Sequence, residues 1–364
     1  CAHAYKVWHQ GIRLRYPEVE FIEVPYEGTT LPALFMPGKG TGPKPTVVVL
    51  NGMDNAKEMS IFFCGLEFAR RGFNTLCMDG PGMGEMRRMR DMPSRYDYEV
   101  PGAAAFDCLA KRSDVDSKRI AIMGYSFGGY YSSRVAAFEK RYAACIALSA
   151  LHWDLAAWQT KIKEANKNAP KSVAQSNFQW RWVAGAADED EGIEIARKFS
   201  LKDAAKHITC PFLVTHAGND RVVPVENAQK LYDAVGSSNK TIKIFTTEEG
   251  GAEHAHVDNR QAGIDQVNVV YRSGSEMLTS LLKDEADTAI ITVSTALGQI
   301  REGKVRPLAG ISERQIAQLP DTPPVAKTIP GFDVSVWHGI AAPAGMDPAL
   351  VARINGIFNQ VLQV

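Results

Sequence analysis

The chain has 364 residues, 45% of them hydrophobic, with 41 basic residues against 41 acidic ones. That length suits one large domain with a smaller companion and a sizeable core, and the even charge gives no field to draw in nucleic acid or an anionic membrane. No apolar run approaches the roughly 20 residues of a membrane helix. The first residues lack a secretory pattern. The six scattered cysteines, without C-x-x-C spacing, read as reduced thiols, so a cytoplasmic setting is expected.

In chain order, VEFIEV and PALFMP read as an opening antiparallel hairpin. TVVVL, FNTLCM, RIAIMG, AACIALS, PFLVTH and TIKIF follow as short apolar runs without alternation, the pattern of strands buried on both faces. Helix-like stretches are expected at Ala56 to Arg71, Val100 to Lys111, Phe127 to Phe138 and Val225 to Val235. Alternating strand and helix predicts an α/β fold, a mostly parallel sheet covered by helices.

Asn51-Gly52-Met53-Asp54 follows TVVVL. A loop after that strand is where an oxyanion-binding amide is expected, and Met53 is the candidate donor, with Gly52 opening the approach. Glu58 reads as a charge in the first turn of the next helix. Asp79 to Glu85, DGPGMGE, is Gly-rich but lacks the Lys-Ser/Thr ending of a phosphate loop, so nucleotide binding is not expected.

Gly124-Tyr125-Ser126-Phe127-Gly128 stands between a strand and a helix. This is the G-x-S-x-G elbow that lifts a nucleophilic serine above a sheet, with the Phe127 amide as the other oxyanion donor. Residues 151–205 hold Trp153, Trp158, Trp180 and Trp182. They are expected to form a helical cap insertion, with Trp153 and Trp158 nearest the strand end and so the candidate substrate-pocket residues. Asp220 follows the strand PFLVTH, and His254 follows TIKIF. The order Ser, Asp, His fits this elbow. Imidazole takes and returns a proton near neutrality, and the carboxylate orients it. His256 is the alternative base. His254-Ala-His256-Val-Asp258 also has the look of a dinuclear zinc run, but a metal site needs ligands that this stretch alone does not supply. No metal or cofactor is expected.

The segments NGMDNAKEMS (51–60), MDGPGMGEM (78–86), GYSFGGYYSSRVAAFEKRYAACIALSA (124–150), THAGNDRVVP (215–224) and GGAEHAHVDNRQAGID (250–265) together carry a resemblance. They resemble the α/β-hydrolases around the fermentation–respiration switch protein family, with its polyketide-shortening and dihydroxypseudooxynicotine hydrolase branch. The resemblance implies the α/β-hydrolase fold and the triad Ser126, Asp220 and His254, and it favours His254 over His256. It implies hydrolysis of a small molecule through an acyl-enzyme, leaning to C–C bond (retro-Claisen) cleavage of an aryl or polyketide-type 1,3-dicarbonyl. Asp54 occupies the place of an extra active-site carboxylate, one methylene shorter. Ester hydrolysis is the alternative activity, and a homodimer is one possible assembly.

Two departures belong to the ends. The related enzymes carry a longer helical N-terminal region, to which only Cys1 to Tyr16 would correspond, so a processed or partial chain is expected. From about Val267, VVYRSGSEMLTSLL, GKVRPLA, LPDTPPVAKTIPGF and DPALVARINGIFNQVL resemble the last third of the solute-binding receptors of tripartite tricarboxylate transporters. The expected organisation is a hydrolase domain at 1–265 and a receptor-like fragment at 266–364. A carboxylate-binding protein with an inert hydrolase part is the alternative from another class.

Overall fold

The computed structural model describes residues 2–149, 153–167, 178–256, 273–283, 285–286, 288–312, 314–328 and 346–362. The chain divides into two compact units, Cys1–Asn268 and Val269–Val364. The sequence break read near residue 265 lies outside the described residues.

In the first unit, helix α1 (Ala2–Arg15) leads into the hairpin of β1 (Glu20–Tyr26) and β2 (Thr29–Met36). Strands β3 (Lys44–Leu50), β4 (Asn74–Met78), β5 (Val115–Tyr125), β6 (Cys145–Leu148), β7 (Phe212–Ala217) and β8 (Lys240–Phe245) complete the sheet. Its order is β1-β2-β4-β3-β5-β6-β7-β8. The pairs β1–β2 and β2–β4 are antiparallel, and the others are parallel. Both faces are covered, and the strands divide their side chains between two cores with a period of two. Val48, Leu50, Leu76, Ile120 and Ile122 face one core. Val47, Val49, Cys77, Met123 and Tyr125 face the other.

The connections are mostly helical, as parallel strands require. The helix expected from Ala56 forms as α2 (Lys57–Ser60), a π-helical stretch (Ile61–Gly65) and α3 (Leu66–Arg70). Helices α4 (Gly84–Met89), α5 (Glu99–Ala110) and α6 (Phe127–Phe138) precede the insertion. Among its described residues, the segment between β6 and β7 contains α7 (Leu155–Lys167), α8 (Phe178–Ala184) and α9 (Glu189–Ala196). Asp188 caps α9 by accepting the Glu191 amide at 2.9 Å, and Glu191 accepts the Ala187 amide at 2.7 Å. Trp180 is buried, donates its indole N–H to Gly192 O at 2.8 Å and meets Phe127 edge-on at 5.7 Å. This ties the insertion to α6, the helix that follows Ser126. Helix α10 (Glu226–Ala234) joins β7 to β8.

The second unit, by itself, contains α11 (Gly274–Leu282), α12 (Val293–Arg301) and α13 (Pro348–Leu362). Ser273 caps α11 by accepting the Glu276 amide at 3.2 Å. Residues 303–309 form no strand. Gly310 and Pro324 make an isolated bridge. Among the described residues, no helix is long and apolar enough to cross a membrane.

Candidate active site

The elbow is built by steric exclusion. A Cβ on Gly124 would stand 1.8 Å from Gly128 O, and one on Gly128 would stand 2.1 Å from Leu50 O. Only glycine allows the chain to turn from β5 into α6 this sharply and lets α6 begin against the end of β3. Ser126 itself sits at φ 56°, ψ −126°, a region that costs a side-chain-bearing residue about 1–3 kcal/mol. Its amide is held by Leu148 O of the next strand at 2.9 Å.

Two parallel connections bring the other groups to the same edge. Asp220 follows β7 and His254 follows β8. His254 Nδ1 lies 2.7 Å from Asp220 Oδ2, and His254 Nε2 lies 2.8 Å from Ser126 Oγ. With the proton on Nδ1, the imidazole donates to Asp220 and accepts from the Ser126 hydroxyl. Asp220 Oδ1 accepts the Val222 and Val223 amides, each at 2.8 Å. Burial alone would raise the Asp220 carboxyl, but the hydrogen bond and charge of His254, with those two amides, bring it below the usual carboxylate range. It is therefore ionised at neutral pH. His216 is fully buried behind it, with Nε2 3.1 Å from Val223 O and 3.5 Å from Asp220 Oδ2. Burial pushes its imidazole below the usual range, so it stays neutral. The imidazole that meets Ser126 is that of His254, the first of the two histidines weighed in the sequence.

The loop after β3 reaches the nucleophile. A Cβ on Gly52 would be 3.1 Å from Ser126 Cβ, 3.3 Å from Ser126 Oγ and 3.6 Å from Asp54 Oδ1. Ser126 Oγ and the Asp54 carboxylate thus flank one point. Asp54 is exposed, and its carbonyl accepts from Arg88 at 2.9 Å. Met53 is half-buried against the core, and the Phe127 amide opens α6 beside Ser126. Trp153 and Trp158 are half-buried against the same core. Trp153 O accepts the Ser200 hydroxyl at 3.2 Å, and the Lys161 ammonium stands 5.9 Å from the Trp158 ring.

Three features had no local signal in the sequence. Ser149 gives its hydroxyl oxygen to the Ala255 amide at 3.1 Å, next to His254. Trp182 lies beneath the Arg87 and Arg88 guanidiniums at 5.1 and 5.6 Å, and Arg88 in turn holds the carbonyl of Asp54. Asp79, in the DGPGMGE turn, is fully buried among donors from the Asn51–Lys57 loop. A cavity of about 400 Å³ opens beside Trp182, lined also by Arg87, Phe178, Arg181 and Glu191. Among the described residues, no group of three or more His, Cys, Asp or Glu is arranged to hold a metal ion.

A serine on a strained strand-to-helix turn, on the central parallel sheet, with Asp and His behind the following strands, defines the α/β-hydrolase fold. The first unit has the α/β-hydrolase fold, and several known proteins resemble it. Residues 102–272 match the prolyl oligopeptidase family. The 2,6-dihydropseudooxynicotine hydrolase of Paenarthrobacter nicotinovorans is 28% identical over 226 residues, covering 61% of this chain and 56% of that protein. Hydrolase LUC6 of a Fusarium species is 30% identical over 273 residues, covering 66% of this chain and 65% of its own length. The crystal structure of 2,6-dihydroxy-pseudo-oxynicotine hydrolase superposes with a TM-score of 0.60 at 25% identity, covering 70% of this chain and 67% of that one. The chain thus spans less than two thirds of the length of these curated relatives.

Residues 223–364 match the tripartite tricarboxylate transporter family receptor. The two matches overlap at residues 223–272. Within that overlap, β8 pairs with β7 of the first unit's sheet, and His254 meets Ser126.

Proposed function

We propose that this protein is a serine hydrolase acting on a small molecule through an acyl-enzyme, with Ser126 as nucleophile, His254 as base and Asp220 as its orienting carboxylate. The observation that carries this is the unbroken line from Ser126 Oγ through His254 to Asp220, with contacts of 2.8 and 2.7 Å. As Ser126 Oγ attacks a carbonyl carbon, its proton passes to His254 Nε2. The imidazolium is stabilised by Asp220. The amides of Phe127 and Met53 receive the developing oxyanion, where each donor is worth about 3 kcal/mol. Collapse of the adduct breaks the bond to the leaving group, which takes its electron pair and the proton held on His254 Nε2, so that the imidazole is neutral again. Water, deprotonated by His254, then attacks the Ser126 ester and releases a carboxylic acid.

We assign the bond as C–C, beside a ketone in an aryl or polyketide-type 1,3-dicarbonyl. The leaving group is then an enolate that must be protonated at carbon, and the Asp54 carboxylate next to Ser126 supports that reading. So does the similarity to a 2,6-dihydropseudooxynicotine hydrolase. Ester cleavage is the second reading. It is favoured by the exposure of Asp54, because an alkoxide leaves without help at carbon. The half-buried Trp153 and Trp158 support an aromatic or apolar acyl group. Cys64, Cys77, Cys108, Cys145 and Cys210 are free thiols, which supports a cytoplasmic setting.

Intact-mass labelling with a fluorophosphonate tests the proposal. One label per chain is expected, lost in Ser126→Ala. Aryl 1,3-diketones offered beside aryl esters then decide the bond. Failure of a folded sample to label would overturn the hydrolase reading and leave carboxylate binding by the receptor-like unit to be measured.

A further inference from the structure

We propose that Asp79 is a positioning residue for this reaction: its buried carboxylate pins both ends of the oxyanion loop. The inference rests on the assignment of Ser126 as nucleophile. Asp79 follows β4, beside the end of β3, and is fully buried. Its Oδ1 accepts from Asn51 Nδ2 at 2.8 Å and from the Lys57 amide at 2.7 Å. Those two residues bracket the segment that carries Gly52, Met53 and Asp54. Its Oδ2 accepts the Glu85 amide at 2.8 Å and faces Lys57 Nζ at 3.4 Å. A Cβ on Gly84 would stand 2.1 Å from Oδ2, so the turn is shaped around the carboxylate. Asn51 Oδ1 is buried without a hydrogen-bond partner among the described residues. The amide side chain is therefore held for the one bond its Nδ2 makes to Asp79.

The charge is compensated locally. Lys57, also buried, bonds Glu58 and Glu85 at 2.8 Å each, and Glu58 meets His9 of α1 at 2.9 Å. Burial pulls the Lys57 ammonium down, but Asp79 and Glu58 hold it well above its usual range. Buried ion pairs can often be replaced by well-packed apolar side chains without loss of stability. What the ionic cluster adds is direction, because one carboxylate fixes two amides and a side chain at set angles. Oxyanion donors act only when they are aimed at the developing charge.

The test uses the full chain with Asp79→Asn and, as the milder variant, Asn51→Ala, which removes no charge. Two quantities are read: the second-order rate of fluorophosphonate labelling at Ser126, with its pH profile, and amide hydrogen exchange over residues 50–60. Displacing a catalytic group by about 1 Å costs on the order of 100-fold. Asp79→Asn is expected to label about 10- to 100-fold more slowly, and Asn51→Ala about 3- to 10-fold. Exchange in the loop should accelerate, and the midpoint of the pH profile should stay in place because His254 is untouched. If the variants melt earlier but label at the wild-type rate with unchanged loop exchange, the residue is only structural and the proposal is overturned. If Asp79→Asn does not fold, Asn51→Ala decides by the same readings. A wild-type protein that fails to label overturns the nucleophile assignment and this inference with it, which separates the two failures.

Discussion

Ser149 stands one residue beyond β6 at φ 46°, and Ala255, whose amide it receives, is at φ 57°. Two left-handed residues joined by one hydrogen bond thus set where His254 begins. Replacing Ser149 by Ala leaves a buried N–H unpaired, at a cost of about 1–3 kcal/mol. A lower melting temperature is expected, with slower labelling of Ser126 as the imidazole loosens. Thermal unfolding and labelling rates measured side by side check both. Ser126, Asp220 and His254 were legible in the sequence because each is signalled by its own neighbours: glycines around the serine, and an apolar strand before the acid and the base. Ser149 and Asp79 were not. Ser149 acts across 106 residues, and Asp79 across 28 and 22. An isolated serine or aspartate in a turn has more common uses than these.

At the scale of elements, α6 touches β3 at the point where Gly128 meets Leu50 O and Asn51 O. The Ser126 turn and the loop that begins at Asn51 therefore share one backbone contact. Gly128→Ala must push them apart, with a loss at or beyond the ~1–3 kcal/mol typical of overpacking. Denaturant unfolding should show the loss, and the folded fraction should label poorly. The strands and α6 were readable because apolar runs buried on both faces leave little ambiguity. The helix after the oxyanion loop was readable only in extent. Its π-helical middle depends on tertiary fit, with Gly65 against Ile61 and Cys77, and no local pattern announces that.

At the scale of the whole molecule, the two units have separate standing. Ser126, Asp220, His254, Asp79 and both cores of the sheet lie within Cys1–Asn268. A chain ended at Asn268 is expected to melt cooperatively and to label Ser126 at an unchanged rate. Loss of labelling on truncation would show that the second unit supports the site. The receptor-like stretch was legible from its motifs, whereas the absence of a strand at residues 303–309 was not. Strand formation depends on neighbours that a sequence segment does not carry with it.

The parallel connectivity also sets an order in time. The Asn51–Asp54 loop and Ser126 leave the ribosome before His254, which follows the serine by 128 residues. At cellular rates of synthesis that separation is on the order of 10 s. For that interval the nascent chain carries a serine with no base to deprotonate it. The base arrives only behind β8, which among the described strands pairs with β7 alone. The proposed hydrolase is thus inert while most of its sheet is being made, and the last of the described strands to be synthesised precedes the residue that brings its chemistry into being.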